Sequence, residues 1–257
     1  MHEKITYEQP LNERIRTFLR IEFLFKQAGY QLREGKSAWD TRAALATLLE
    51  ILNILTRGDI KTEIMKELER HTANMARLEQ NPEVDQRRLK HVLEEMGRLT
   101  DHLHGTDGQF GQHLRQNEFL NSIKQRSAIP GGTCDFDLPA YHHWLQRSAE
   151  DRIRDLLTWF SPLDCLQQSV DLILRLTRQS TLPTREVAVS GFFQKALEPN
   201  LPCQMIRVSL PATVPCFAEI SGGRHRFTVR FLQQPHPDAR ATQTTQDVAF
   251  ELACCII

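Results

Sequence analysis

The stretch VDLILRLTRQSTLPTREVAVSGFF, Val170–Phe193, decides the fold. Its first half carries Val170, Ile173, Leu174 and Leu176 at helical spacing, and its second half, from Val187 to Phe193, reads as a strand. The apolar period changes from 3.6 to two at about Arg178, so helices are expected before this point and a sheet after it.

Upstream, Asn12 can cap a long helix with Ile15, Leu19 and Phe23 in its stripe and Phe18 and Phe25 alongside. Ser37 can cap a second, carrying Leu45, Leu48, Leu49, Leu52 and Leu55, which Arg57-Gly58-Asp59 ends while starting a third. That third helix holds Ile60, Ile64, Leu68, Met75 and Leu78 until Asn81-Pro82 interrupts it. Asp85 restarts the chain with Leu89, Val92, Leu93, Met96 and Leu99, so the two helices form a hairpin with charged outer faces. Asn117 precedes a helix with Phe119, Leu120 and Ile123, and IPGGTCDFDLP is the clearest non-helical segment. Ser148 opens a helix with Ile153, Leu156, Leu157 and Phe160. Ser161-Pro162 opens the most apolar one, Leu163 to Leu176, expected at the bundle's centre.

Downstream, Met205–Leu210, Cys216–Ile220, Arg226–Leu232 and Val248–Leu252 are strand candidates, and Ser221-Gly222-Gly223-Arg224 favours an antiparallel hairpin. Ile5–Glu8 also alternates. The expected class is α+β: a helical domain over 1–180 and a smaller antiparallel β domain over 181–257, to which residues 4–9 can add a strand.

Composition narrows the function. The 257 residues include 32 basic and 32 acidic side chains, so no global field draws the chain to nucleic acid or an anionic membrane. The opening MHEKITYEQP has no apolar stretch suited to a signal peptide, and no apolar run in the chain reaches membrane length, so a cytoplasmic location is expected. The six cysteines, at 134, 165, 203, 216, 254 and 255, contain no C-x-x-C pair and are expected to be thiols. Phosphate-loop, zinc-protease and serine-elbow motifs are missing. The close histidine pairs, His102 with His104 and His142 with His143, have the wrong spacing to share an ion on a helix. Acidic pairs such as Glu94 with Glu95 sit among Lys and Arg. No cofactor, metal or catalytic activity is expected.

Arginine is the stronger signal. In RHRFTVRF, alternation sets Phe227, Val229 and Phe231 on one strand face and Arg226, Thr228 and Arg230 on the other. Two guanidinium groups then emerge roughly 13 Å apart by the standard rise per residue. Arg224 and His225 add donors at the turn. Such a face suits carboxylates, which Arg grips in planar bidentate pairs. Arg14, Arg16 and Arg20 lie on the first helix and can join this patch if the N-terminal strand docks there. Arg57, at a helix end, offsets the dipole. The alternative is a nucleic-acid-binding module using the same arginines; zero net charge and the lack of interleaved aromatics weigh against it.

Five blocks in order carry a family resemblance: EQPLNERIRTFLRIEFL, RGDIKTEIMKELER, SAIPGGTCDFDLPAYHHWL, SGGRHRFTVRF and FELACC. They resemble the ZapD family of Z-ring-associated cell division proteins. The resemblance implies a non-enzymatic homodimer, cytoplasmic at mid-cell, that binds the C-terminal tail of FtsZ, bundles its protofilaments and lowers GTP turnover. It implies tail contacts at Arg16, Arg57, His142, Arg226 and Arg230, with Arg224 beside them. The 233–246 loop departs from the family pattern.

Overall fold

The computed structural model describes residues 3–34, 37–106, 108–223 and 225–256. The fold is α+β, with the helices mostly in the first two thirds of the chain and antiparallel strands in the last third. By their contacts the residues form two compact units: Thr17–Ile173, and Met1–Arg16 with Leu174–Ile257. The boundaries fall inside two helices, α1 (Glu13–Glu34) and α9 (Asp164–Gln179).

In the helical unit, α2 (Ala38–Thr56) starts on a capping box. Ser37 accepts from the Asp40 amide while Asp40 accepts from the Ser37 amide, so two otherwise orphaned donors are satisfied. Leu45, Leu48, Leu52 and Leu55 are buried. Asp59 caps α3 (Ile60–Ala76) and Asp85 caps α4 (Gln86–Gly105), which pack as the expected hairpin. The third helix stops at Ala76, short of Asn81-Pro82; Leu78 lies in the turns beyond it and is 37% exposed. After α5 (Gln112–Arg115), Asn117 caps α6 (Glu118–Ser127), and residues 128–138 run as turns. A short helix that the sequence reading did not anticipate, α7 (Pro139–Leu145), precedes α8 (Ala149–Phe160) and the 3-10 turn Ser161–Leu163. Ile173, Leu166 and Val170 of α9 are fully buried.

Two assigned stripes need correction. On α1 the buried face is Ile15, Phe18, Ile21, Leu24, Phe25 and Ala28, while Phe23 is 63% exposed. Steps of three from Ile15 through Leu24 follow the buried face; steps of four to Leu19 and Phe23 drift off it. On α8, Leu156 and Phe160 are buried but Leu157 is exposed.

The β unit is built from two antiparallel sheets around one apolar core. The first has strand order β1-β4-β8-β2: β1 (Lys4–Pro10), β4 (Cys203–Pro211), β8 (Val248–Ile256) and β2 (Thr184–Ala188). The second has order β3-β6-β5: β3 (Phe192–Ala196), β6 (Arg226–Gln233) and β5 (Phe217–Gly222). The two-residue β7 (Thr242–Gln243) of the 233–246 loop also pairs with β6. Ile206, Val208, Leu210, Val248, Phe250 and Leu252 from the first sheet meet Ala218, Phe227, Val229 and Phe231 from the second.

The segment read as one strand, Val187 to Phe193, is a hairpin that carries the chain from one sheet to the other. Ser190 and Gly191 both have positive φ, 49° and 70°, which a two-residue turn of this hand demands. A side chain at Gly191 would meet the Thr244 carbonyl oxygen at 2.7 Å, so only glycine fits. The N-terminal strand pairs with β4, so it joins the sheet opposite the one carrying Arg226 and Arg230.

On the far face of the first sheet, Glu8 binds two arginines. Arg178 donates through Nε and Nη2 to the two carboxylate oxygens at 2.9 Å each, and Arg207 donates through Nε at 2.9 Å. Arg207 also donates to the Arg178 carbonyl, so β1, β4 and the end of α9 close on one carboxylate.

This packing has two measurable consequences. Phe231→Ala should cost about 3–5 kcal/mol of unfolding free energy in urea, whereas Arg226→Ala on the opposite face of the same strand should stay within about 0.5 kcal/mol. His71 of α3 is buried beside Glu67 and Arg70; desolvation, against the pull of Glu67, takes its pKa down to about 4. It is therefore neutral in the folded state, and its contribution is full above the unfolded pKa near 6.5 and is lost as pH falls toward 4. At pH 4.5 wild type should lose about 2–3 kcal/mol more than His71→Asn relative to pH 7.5, as read by urea unfolding.

Candidate functional site

In β6 the residues alternate as expected: Phe227, Val229 and Phe231 are buried, and Arg226 and Arg230 are exposed on the opposite face. Pairing sets their neighbours. Arg230 lies between Phe192 of β3 and Glu219 of β5, Thr228 between Gln194 and Ser221, and Arg226 beside Ala196. The outer face is thus a row of short polar and small residues flanked by two guanidinium groups, with the half-exposed Phe192 ring next to one of them.

The two arginines differ. Arg230 Nη1 is 3.6 Å from Glu219 Oε2, both side chains about half exposed, an ion pair worth no more than about 1 kcal/mol. Arg226 makes no side-chain hydrogen bond or ion pair among the described residues. It borders an open notch of about 470 Å³ at the hairpin end, lined also by Ser221, Gly222, Gly223, His225 and Thr228. Arg224 lies outside the described residues.

Arg16 belongs to the same unit and is exposed, with Glu13 one turn before it at 3.3 Å. Arg20, four residues on, belongs to the helical unit and is engaged by Glu50.

Arg57 and His142 lie in the helical unit. Arg57 is the C-cap of α2; its backbone N–H bonds to the Ile54 carbonyl, and its exposed side chain has no partner among the described residues. His142 Nδ1 is 3.1 Å from Asp135 Oδ1.

The same carboxylate accepts from Arg42 Nη2 at 2.8 Å, and Arg42 Nη1 donates to the Thr133 carbonyl at 3.0 Å. Its guanidinium lies 4.8 Å from the centre of the Tyr141 ring and 5.5 Å from that of Trp39. Burial pushes the Tyr141 hydroxyl up to about 12, against the pull of Arg42. Trp39, Arg42, Leu49, Lys124 and Tyr141 line a cleft of about 720 Å³. Sequence reading passed over Arg42; the signal available was an aromatic and an arginine three apart directly after a strong helix cap.

Among the described residues no cluster of three or more His, Cys, Asp or Glu side chains could hold a metal ion, and no helix is long and apolar enough to cross a membrane. The chain is a helical unit joined to a two-sheet β unit that displays arginines on an exposed sheet face.

Comparison with known proteins gives the family. A family model described as ZapD, cell division protein, matches residues 19–230, a span that includes both β6 arginines. The Cell division protein ZapD of Methylococcus capsulatus is 44% identical over 257 residues, covering 100% of both chains. Those of Coxiella burnetii and Chromobacterium violaceum are each 40% identical, over 254 and 252 residues, covering 98% of this chain and 98% and 99% of theirs. The chain belongs to the ZapD family of cell division proteins.

Proposed function

We propose that this protein binds the C-terminal tail of FtsZ through Arg226 and Arg230, and that a twofold dimer of it bundles FtsZ protofilaments at the mid-cell Z-ring. Arg16 in the same unit, and Arg57 and His142 in the helical unit, supply further contacts, His142 as a hydrogen-bond donor; Arg224 is the remaining one. The observation that carries the reading is the shared outer face of β6, where two arginines four residues apart emerge beside an exposed phenylalanine. A flexible tail with both carboxylates and apolar side chains matches that face in charge and in surface.

The protein acts by valence, in the cytoplasm and without catalysis. One tail site per subunit lets a dimer hold two filaments, and each filament presents many tails at high local concentration, so weak single contacts suffice. Slower GTP turnover results from the lateral association of filaments. Glu219 sets the strength of the grip, because Arg230 must exchange an internal carboxylate for one on the partner.

Filament co-sedimentation tests this. Arg226→Glu and Arg230→Glu should each cut FtsZ pelleting at least several-fold, tail-less FtsZ should not be bundled, and Glu219→Gln should raise tail affinity a few-fold. Bundling should weaken between about 0.05 and 0.5 M salt, since exposed charge pairs are screened over about 8–10 Å at physiological ionic strength. Normal bundling by both reversed-charge variants overturns the site. Tight DNA binding in a gel shift with no FtsZ pelleting would instead support the nucleic-acid reading.

A further inference from the structure

Beside the apolar core of the β unit lies a polar cluster. Four side chains on the inner faces meet there. Glu186 lies two residues before the buried Ala188 on β2, and Lys195 lies opposite the buried Phe227 on β3. Cys203 and Cys254 lie on β4 and β8 against the edge of the core. Lys195 Nζ is 3.5 Å from Glu186 Oε1.

A β-bulge creates the thiol pair. Along β8, Cys254 faces inward opposite Ile206, while Cys255 lies on the other face opposite Met205. In an uninterrupted β4, Cys203 would share the face of Met205, away from Cys254. The register shifts between Cys203 and Met205, so that Cys203 pairs with Ile256 and its side chain turns to the inner face. There Cys203 and Cys254 share the inner face of neighbouring strands and interact electrostatically, although they lie 51 positions apart in the chain. The Cys203 S–H has an acceptor, the Met205 carbonyl, at 3.5 Å. Both cysteines are free and partly accessible, whereas Cys255 is buried.

We propose that Cys254 is a peroxide-reactive thiol and Cys203 its resolving partner, so that a hydroperoxide closes a reversible disulfide between β4 and β8. The Cys254 thiolate attacks one peroxide oxygen: an S–O bond forms, the O–O bond breaks, and the released hydroxide or alkoxide takes up a proton. The sulfenic acid so formed is attacked by the Cys203 sulfur. The S–S bond forms, the S–O bond breaks, and hydroxide leaves with the Cys203 proton as water. Two thiols thereby supply the two electrons that reduce one peroxide, and a dithiol reductant reverses the change.

The electrostatics support these roles. The interaction with Cys203 and the nearby Lys195 ammonium pull the Cys254 thiol below the ordinary thiol range, against burial and the Glu186 charge. The same contact and burial push Cys203 well above the ordinary thiol range, as suits the partner that keeps its proton. A thiol lowered in this way has more thiolate at neutral pH than an ordinary cysteine, and the thiolate is the nucleophile. Burial pushes Cys165 and Cys216 upward and Cys255 up to about 12, so their thiols stay protonated.

The test treats the native protein with one equivalent of hydrogen peroxide at pH 7, blocks remaining thiols with N-ethylmaleimide and maps peptides without reduction. A Cys203–Cys254 link should form before any other cysteine is modified, and dithiothreitol should remove it. In Cys203→Ser, dimedone should label Cys254 in preference to the exposed Cys134. Earlier oxidation of Cys134, a disulfide joining other cysteines, or no dimedone adduct on Cys254 in that variant overturns the proposal.

Discussion

One-sided burial of β6 is the constraint on which the β unit depends. Phe227, Val229 and Phe231 reach the interior from one strand and meet Phe250 and Val208 from the opposite sheet, so the strand cannot slip by one residue without exposing all three rings or chains. The same period of two leaves Arg226 and Arg230 no place but the outer face. Their exposure on that face is therefore enforced by the apolar cluster on the other.

A chain with no net charge can still carry a local positive patch, because its arginines differ in whether a carboxylate stands beside them. Arg178 and Arg207 share Glu8, Arg20 is held by Glu50, and Arg42 by Asp135 and the Thr133 carbonyl. Arg152 is buried, donating to Thr41 and to the carbonyls of Leu145 and Arg147. Against these, Arg226 and Arg57 have no side-chain partners among the described residues, and Arg230 holds only a loose, exposed one. Counting charges cannot separate the two groups, since a paired and an unpaired arginine contribute equally to the sum.

Much of this was legible in local chemistry. Caps at Ser37, Asp59, Asp85, Asn117 and Ser148 mark helix starts because their side chains satisfy amides that the helix leaves unpaired, whatever the tertiary context. Strand alternation showed the two faces of β6 for a similar reason. What was misread depended on distant partners. Phe23 fits a helical stripe but falls on the wet side of α1, and Val187–Phe193 looks like one strand until Ser190 and Gly191 adopt positive φ. Arg42 carried no motif; its importance comes from Asp135 and Tyr141, about a hundred positions away.

The amino-acid order by itself determined that helices precede strands, most of the individual elements, the class of fold, the family and the side of β6 on which its arginines stand. Each of these rests on short-range periodicity, on capping chemistry or on matched blocks of residues. Tertiary structure alone decided that the strands divide between two sheets, that β1 joins the sheet without the arginines, and that a bulge turns Cys203 toward Cys254. Those outcomes depend on which backbone donors and acceptors find each other across dozens of residues, and no local window of sequence contains both members of such a pair.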